Sequence, residues 1–468
     1  MKSILKCQHL LLALSLSATF LSADTQAGGV FPIATNPSVV AVGFGIASDG
    51  TNYLVGLMSG SNVCGQLVSP NGALIGPLIT VGTSRGFVVP TAAVAFGRTN
   101  YLVVWSDASL GLAQDMFGQF ISRSGVKVGS AFPLLQSPGT YGFQMLNAVA
   151  FDGTNFLVVS QDTTNINYYG QLVTEGGTFA GSEFLISNQL GNQGPTTIRG
   201  AAAFGQTNYL VAWGNDSAVY GALISKGGSA GNPFPINQTA ANGGTPYLAF
   251  DGTNFLTVWQ WGTNSGGDRY LYGRLVSPAG TFPGGEVGLI TNANQASGAA
   301  ALAFDGANYL MVWAYFPYQT NGDIRSCFLD RSLTIIGPEF TLFPSQGTNG
   351  ALGEPNCLVF DGTRYVIAAT LGVPGIGKTA PISGEVFGAS IPASTARPRL
   401  EPTGPRAGTQ FPLLLTGTPG INYAIQAATN LPASNWMPLV TNSPTNGPFI
   451  FTDTGATNRS RFYRAVKQ

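Results

Sequence analysis

The sequence predicts an all-β protein: a seven-bladed β-propeller of four-stranded blades, closed by its N-terminal strand and followed by a small β-sandwich. Three observations lead to this prediction. A segment of roughly 50 residues with strand-like content repeats seven times. Each copy carries the signals of tight hairpin turns. Finally, a short segment near the N-terminus copies a strand that the last repeat lacks.

Residues 1–27 have the composition of a secretory signal peptide. Two lysines give a positive start, an apolar run follows over 10–20, and Thr25–Ala27 forms a small-residue cleavage site. Cleavage after Ala23 fits almost as well. The apolar run is too short to span a bilayer and no later run is long enough, so no transmembrane segment is expected in the mature chain.

Composition excludes several function classes. Charged residues make up only 9% of the chain, and Lys+Arg and Asp+Glu balance at 21 each, so there is no overall basic field for nucleic acid. The single histidine, His9, lies within the predicted signal peptide. Nucleophile pairs that use histidine and histidine metal ligands are therefore excluded, and no catalytic residue is predicted.

The mature chain keeps three cysteines, Cys64, Cys327 and Cys357. Because the number is odd, at least one is expected to be a buried free thiol. A disulfide between Cys327 and Cys357 is left open.

The repeat consists of an apolar run, a tight turn, and an aromatic residue followed by further apolar residues. The seven turn segments are SDGTNYLVG, FGRTNYLVVW, FDGTNFLVVS, FGQTNYLVAW, FDGTNFLTVW, FDGANYLMVW and FDGTRYVIAA. Their aromatic residues are Tyr53, Tyr101, Phe156, Tyr209, Phe255, Tyr309 and Tyr365. This spacing with strand-like content favours propeller blades over helical solenoids.

Each repeat resolves into four strands, which we label a to d. The turn joins strands a and b, an aromatic-Gly element such as Tyr169–Val173 forms strand c, and a proline-containing segment such as Ala131–Leu134 forms the edge strand d. Repeat seven ends after its third strand, at 385–391. Gly29–Ile33 copies the missing strand d, and we expect it to close the ring and remove its open edges.

The repeat resembles a family of secreted bacterial repeat proteins built on the motif Phe-Asp-Gly-Thr-Asn-Tyr-Leu-Val-Val-Trp. The resemblance covers the predicted propeller, residues 28–391, almost completely. It implies a β-propeller and a secreted or cell-surface bacterial protein. Because members generally lack an assigned activity, it implies no mechanism.

A segment rich in Pro, Thr and Arg, residues 392–410, is predicted to be a linker. Five short strand candidates follow in 411–468 and indicate a small β-sandwich. This part resembles a C-terminal module of many large secreted bacterial proteins, for example in its closing Arg461–Arg464, which implies attachment or export by analogy only. From 397 to 468 there are 7 basic and 2 acidic residues, against 12 basic and 18 acidic from 28 to 396. Such a basic domain could hold the protein on acidic surface polymers; the alternative is that a small domain merely carries arginines on its surface.

Acidic residues recur in the segments between strands b and c, which share one face of a propeller. They are Asp107, Asp115, Asp162, Asp216, Asp268 and Asp323. Carboxylates gathered there could bind Ca²⁺, with Asp107, Asp162 and Asp216 as the metal candidates. The chain has no Asp-x-Asp-x-Asp-Gly loop, so solvated loop carboxylates are the alternative, and no other cofactor is predicted.

Two other recurring sets have structural interpretations. The turn acids are expected to stabilise hairpins, since they recur in the same turn context: Asp49, Asp152, Asp251, Asp305 and Asp361. Four tryptophans at one repeat position are expected to form the core between blades: Trp105, Trp213, Trp259 and Trp313.

Aromatic residues outside the repeat pattern gather in repeats five and six. They are Trp261, Tyr315, Phe316 and Tyr318, with Asp268, Asn321 and Asp323 as hydrogen-bonding neighbours. This composition is typical of a platform that stacks on sugar rings. Alternatively, these aromatic residues only cover the edge of a blade.

The sequence therefore predicts a secreted, non-enzymatic binding or adhesion protein whose propeller face binds a glycan or another surface ligand. One alternative is a carbohydrate-active hydrolase or lyase that uses paired carboxylates. Another is a scaffold for protein partners.

Overall fold

The structure is a computed structural model. It describes residues 30–35, 41–84, 92–107, 115–134, 144–162, 167–188, 200–214, 218–238, 244–262, 269–291, 295–317, 323–343, 350–352, 357–372, 384–393, 399–403, 407–416, 422–429, 435–442, 449–456 and 461–467. The predicted signal peptide lies outside the described residues.

All regular secondary structure in the described residues is β-strand. The strands of the repeat region are β1 (Val30–Ala34), β2 (Ala41–Ser48), β3 (Tyr53–Ser59), β4 (Asn62–Val68), β5 (Leu74–Thr83), β6 (Ala92–Phe96), β7 (Asn100–Asp107), β8 (Asp115–Ser122), β9 (Lys127–Pro133), β10 (Gln144–Phe151), β11 (Asn155–Asp162), β12 (Asn167–Thr174), β13 (Phe184–Ser187), β14 (Ala201–Gly205), β15 (Asn208–Gly214), β16 (Val219–Ser225), β17 (Phe234–Pro235), β18 (Pro246–Phe250), β19 (Phe255–Gly262), β20 (Arg269–Val276), β21 (Val287–Ile290), β22 (Gln295–Phe304), β23 (Tyr309–Pro317), β24 (Asp323–Leu329), β25 (Ile335–Phe343), β26 (Gly350–Leu352), β27 (Leu358–Phe360), β28 (Arg364–Gly372) and β29 (Gly384–Pro392). The strands that follow are β30 (Arg399–Pro402), β31 (Phe411–Thr416), β32 (Tyr423–Ala428), β33 (Met437–Asn442), β34 (Phe449–Asp453) and β35 (Phe462–Lys467).

The strands of each repeat pair in chain order as an antiparallel sheet. The first six repeats contribute β2–β5, β6–β9, β10–β13, β14–β17, β18–β21 and β22–β25. In the last repeat, β28 pairs with β26, β27 and β29. One parallel bridge, between Arg269 and Ala296, joins the sheets of repeats five and six. The predicted four-stranded antiparallel sheets are therefore confirmed.

The inner strands of neighbouring sheets form a closed circuit. β2 contacts β6, β6 contacts β10, and the series continues through β14, β18, β22 and β27 back to β2. Radial sheets arranged in this way around a centre are a β-propeller. The inner strands are rich in buried alanine, such as Ala92 and Ala201, and these small side chains let the strands converge.

The N-terminal strand completes the sheet of the last repeat, as predicted. β1 pairs antiparallel with β29, with Phe31 opposite Gly388. The Phe31 ring lies over this glycine, where an added Cβ would come within 2.3 Å of the ring. In repeat two a Cβ on Gly118 would likewise lie 2.9 Å from Phe132 of strand d. The glycine of strand c therefore makes room for an apolar side chain of strand d.

The Asp-Gly-Thr-Asn turns close the a–b hairpins. Asp49 Oδ1 accepts hydrogen bonds from the backbone N–H groups of Thr51 and Asn52, each at 2.7 Å. The same two bonds recur at Asp152, Asp251, Asp305 and Asp361. Gly50 adopts a φ of 84°, which costs glycine little. The prediction that the turn acids stabilise hairpins is confirmed.

Each a–b turn also meets the aromatic residue that follows the turn of the next repeat. Where the turn residue is Asp, that aromatic is Tyr: Asp49 with Tyr101, Asp152 with Tyr209, Asp251 with Tyr309, Asp305 with Tyr365, and Asp361 with Tyr53. Where the turn residue is Gly, the aromatic is Phe: Gly97 with Phe156 and Gly205 with Phe255. This matching holds for all seven repeats and was not predicted.

The two kinds of pair differ in physical character. Tyr53 donates a hydrogen bond to the Asp361 carboxylate, and Tyr209 donates one to the carbonyl of Asn155 at 3.0 Å. Burial raises the pKa of Tyr209, and the neighbouring Asp152 carboxylate raises it further. At Gly205, by contrast, an added Cβ would lie only 2.3 Å from the Phe255 ring. Polar contacts thus join some sheets, and close apolar packing joins the others.

The four repeat tryptophans lie in the cores between sheets, as predicted. Trp259 and Trp313 are 1% and 0% exposed, and the Trp105 indole N–H donates to the carbonyl of Thr83 at 3.1 Å. All three cysteines of the described region are buried and free, so Cys327 and Cys357 form no disulfide.

The C-terminal region contains two three-stranded sheets, β30–β31–β34 and β33–β32–β35. Buried side chains of Leu415, Tyr423 and Ile425 form its core. Ile336, on strand d of repeat six, packs against the same core and joins this region to the propeller.

The boundary of the predicted linker needs a correction. Strand β30 lies within 392–410 and pairs with β31, and its Leu400 packs against the C-terminal core. The sequence did not predict this strand, because its proline and arginine residues are typical of a linker. An edge strand of four residues also has too little alternation of apolar and polar residues to be recognised.

No helix that could cross a membrane occurs in the part of the chain that the structure describes.

Candidate functional site

The propeller has two rims with different contents. We call the turn rim the side that carries the a–b turns, and the loop rim the side where strands b end and strands c begin. Of the predicted site residues, Trp261, Tyr315 and Asp323 lie at strand ends on the loop rim, as do Asp107 and Asp162.

One position near the end of strand b varies strongly between repeats. Two residues beyond the tryptophan position, repeats one to seven carry Ser59, Asp107, Asp162, Asn215, Trp261, Tyr315 and Leu371. Because alternate residues of a strand point to the same face, the described members continue the line of the buried tryptophans toward the loop rim. Repeats two and three thus present carboxylates there, and repeats five and six present aromatic rings.

Trp261 lies near the end of β19 and is partly exposed. Its ring stacks on Tyr270, with 5.3 Å between centroids and 27° between planes, and meets Tyr272 edge-on at 6.1 Å. Its indole Nε1 is buried and has no hydrogen-bond acceptor in the described part of the chain. Because a buried N–H without an acceptor costs free energy, this group is suited to donate a hydrogen bond to an oxygen from outside the chain.

Tyr315 occupies the equivalent position in repeat six, where its ring carries a cation. The Arg325 guanidinium lies 3.6 Å from the ring centroid. Arg325 also forms ion pairs with Asp323 at 3.5 Å and with Glu339 at 3.7 Å. The sequence marks Arg325 as a departure of repeat six from the aromatic-Gly element of strand c, but Arg325 was not predicted to be a site residue. Asp323 is therefore engaged by a cation rather than held open for a ligand.

Backbone pairing brings the ends of these two strands together. Trp261 is opposite Tyr270 in the β19–β20 ladder, and the adjacent Arg269 bridges to Ala296 of repeat six. Ala296 is in turn opposite Phe316. The two aromatic strand ends thus belong to one continuous sheet at the loop rim.

Several predicted residues cannot be placed in this arrangement. Asp268, Tyr318, Asn321 and the metal candidate Asp216 lie outside the described residues, and only the backbone of Phe316 is described.

The acidic candidates lie in repeats two and three. Asp107 is opposite Asp115 at the open end of the β7–β8 ladder, and its side chain is buried. Asp162 is fully buried at the equivalent position of repeat three. Among the described residues, no group of three or more His, Cys, Asp or Glu side chains is arranged to hold a metal ion. The calcium site stays a prediction.

Comparison with known proteins gives no family assignment. No protein family model matches the chain, and no curated protein matches it in sequence.

Solved structures with a similar course of the backbone have very low sequence identity. An acylaminoacyl peptidase from Pyrococcus horikoshii has a TM-score of 0.41 at 9% identity, over 80% of this chain and 57% of the peptidase. The chain thus spans little more than half the length of that enzyme. A protein from Lactobacillus plantarum has a TM-score of 0.42 at 14% identity, over 75% and 99% of the two chains. A subtype N10 neuraminidase-like protein of A/little yellow-shouldered bat has a TM-score of 0.40 at 10% identity, over 78% and 98%. The function is therefore argued from the chain's own residues.

Proposed function

We propose that the chain is a secreted, non-enzymatic binding protein, in which a seven-bladed propeller binds a glycan at the loop rim of repeats five and six and a small β-sandwich follows. The observation that carries the proposal is Trp261, which combines a partly exposed ring with an indole N–H that has no acceptor in the described residues. A sugar matches both features of Trp261. The C–H face of a sugar ring can stack on the indole ring, and a hydroxyl oxygen can accept a hydrogen bond from the indole N–H.

The surroundings of Trp261 support a rigid platform. Stacking on Tyr270 fixes the plane of the indole, and the bridge from Arg269 to Ala296 fixes repeat six beside it. Rigid aromatic groups bind with a small entropic cost, because few rotatable bonds are frozen.

Charge argues against an anionic ligand at this site. Arg325 pairs with both Asp323 and Glu339, so the cluster beside Tyr315 carries one positive and two negative charges and has no surplus positive charge to attract an anion. We therefore propose a neutral glycan of the cell surface or surrounding matrix as the partner.

A glycan array probed with the full chain tests the proposal. We expect Trp261→Ala to weaken binding to the array's best neutral glycan at least about tenfold, as is typical when an aromatic anchor is removed. Tyr318→Ala tests the neighbouring segment in the same assay. Phe179→Ala is the matched control, because Phe179 is another exposed aromatic residue of the propeller, at 36% exposure and outside the loop-rim site.

Unchanged binding by Trp261→Ala, or equal losses in Trp261→Ala and Phe179→Ala, would contradict a glycan site at this rim. Absence of any glycan binding by the parent protein would contradict the proposed function altogether.

A further inference from the structure

The outer face of one C-terminal sheet holds an arginine in a fixed position. Arg464 on β35 is opposite Gln426 on the middle strand β32, and its Nε donates to Gln426 Oε1 at 2.8 Å. The guanidinium lies 4.3 Å from the ring centroid of Trp436, which precedes β33. The Arg464 side chain therefore extends from β35 across the middle strand β32. It contacts Gln426 on β32 and Trp436 immediately before β33.

The residues of the middle strand make this crossing possible. Ala424 and Ala428 flank Gln426 on the same outward face, since side chains alternate along a strand. Both alanines are buried, at 5% and 6% exposure, although the opposite face carries the core residues Tyr423 and Ile425. Val466 and Phe462 are opposite these alanines in the ladder, and Arg464 lies between them, opposite Gln426.

The guanidinium keeps hydrogen-bonding capacity for a partner. Arg464 is exposed, its Nε is used by Gln426, and within the described residues it forms no ion pair. The two Nη groups form the end-on fork that matches a carboxylate bidentately. An arginine that is already fixed by a hydrogen bond and by an aromatic ring loses little side-chain entropy when it binds.

The net charge of the C-terminal segment favours an anion. The segment from 397 to 468 has 7 basic and 2 acidic residues. One of the two acids, Asp453, is 3% exposed and is already bound by Arg461 at 2.6 Å and by the Tyr463 hydroxyl at 2.9 Å. The segment as a whole therefore carries a net charge of +5, from 7 basic and 2 acidic residues, which favours an anionic ligand.

A neighbouring apolar group narrows the ligand class. Phe462, 37% exposed, lies two residues before Arg464 on the same outward face and opposite Ala428. A fixed guanidinium beside an exposed aromatic ring complements a sugar that carries a carboxylate, because the ring takes the C–H face and the fork takes the charge.

The geometry points to a second binding site, for carboxylate-bearing polysaccharides, formed by Arg464, Gln426, Trp436 and Phe462 on the outer face of β33–β32–β35. This site is separate from the propeller rim and does not rest on the function proposed there.

Titration of the full chain with polygalacturonate, at an ionic strength of about 50 mM so that charge attraction is retained, tests the site. Fully methyl-esterified polygalacturonate is the matched ligand, because it keeps the sugar rings and lacks the charge. We expect Arg464→Gln to weaken polygalacturonate binding at least about tenfold, and Arg464→Lys to weaken it less, since lysine keeps the charge and loses the fork. Arg331→Gln is the control, because Arg331 also stacks on an aromatic ring, Phe304, but lies in the propeller.

Three results would overturn the site: polygalacturonate binding that Arg464→Gln leaves unchanged, an equal loss in Arg331→Gln, or equal affinity of the parent protein for the esterified polymer. If Arg464→Gln unfolds at the temperature of the titration, Arg464→Lys is measured in its place. Unchanged polygalacturonate binding by Arg464→Lys would then overturn the site. Trp261→Ala keeps polygalacturonate binding if the two sites are separate, so a failure of either proposal is distinguishable from a failure of the other.

Discussion

The turn rim and the loop rim of the propeller follow opposite rules. At the turn rim, each turn residue is matched to the aromatic residue of the next repeat, Asp with Tyr and Gly with Phe, in all seven repeats. At the loop rim, one repeat position changes from Asp107 and Asp162 to Trp261 and Tyr315. The turn rim is constrained because its side chains bond and pack across the sheet interfaces. At the loop rim the residue of one repeat shows no such matching to the next, so this variation is where ligand binding is to be sought.

The sharpest test of the comparison uses two tryptophans of one strand. Trp259 is 1% exposed in the core between repeats four and five, whereas Trp261 is partly exposed toward the loop rim. We expect Trp259→Ala to lower the free energy of unfolding by about 3–5 kcal/mol, and Trp261→Ala by about 1 kcal/mol, because only the first change opens a core cavity. Chemical denaturation of both variants measures the difference. Equal losses of unfolding free energy in the two variants would show that Trp261 contributes to stability as much as a core residue does.

A smaller effect is expected from breaking one matched pair at the turn rim. Gly205→Asp places a Cβ against Phe255 and a carboxylate beside an apolar ring, and we expect a loss of about 2–3 kcal/mol. Adding Phe255→Tyr restores the Asp–Tyr combination of the other repeats. The double variant should therefore be more stable than the sum of the single changes by about 1 kcal/mol.

Gly284→Asp is the control for this cycle, because a Cβ at Gly284 meets no atom within 4 Å. Two results would show that the matching of turn and aromatic residues does not contribute to the free energy of unfolding. Either Gly205→Asp unfolds at the same denaturant concentration as Gly284→Asp, or the effects of the two changes in the double variant are strictly additive.

The smallest effect concerns the seam between the last and first repeats and depends on pH. Burial acts to raise the pKa of Asp361, but hydrogen bonds from Tyr53 and from the backbone N–H groups of Arg364 and Thr363 outweigh it and lower that pKa below 3.8. The unfolded chain therefore takes up this proton first, so the stabilisation is present above about pH 4 and is lost as pH falls through the folded-state pKa.

We expect Tyr53→Phe to cost about 1 kcal/mol at pH 7 and progressively less in acid, as measured by denaturation across that range. Asp361→Asn supplies the control background, because its amide does not titrate, so the cost of Tyr53→Phe in that background should not vary with pH. A penalty for Tyr53→Phe that stays constant down to pH 2 would contradict the role of the Asp361 carboxylate.

Most of the repeat architecture could be predicted, because local signals repeat many times. The Asp49 turn, the aromatic-Gly element and the N-terminal copy of strand d each depend on a few neighbouring residues, and all three appear in the structure as expected. The candidate site was predicted only in part. Trp261 and Tyr315 stood out as departures from the repeat, and so did Arg325 in strand c of repeat six, but the packing of Tyr270 and Arg325 on one face of each ring was not predicted.

The matching of turn residues to aromatic residues also could not be predicted from local sequence patterns. Its signal is present in the sequence, yet it links residues about one repeat apart, as with Asp49 and Tyr101. Only the packing of neighbouring sheets shows why they vary together.

The sequence by itself determined the repeat, its hairpins and the copied edge strand, because turn propensity and strand alternation act over a few residues. The tertiary structure decided which groups meet: the closed circuit of inner strands, the bridge between Arg269 and Ala296, the ion pairs of Arg325, and the fixed position of Arg464 over Trp436. Contacts of this kind join side chains that are distant in the chain, and their energies depend on distances and burial that no local pattern specifies.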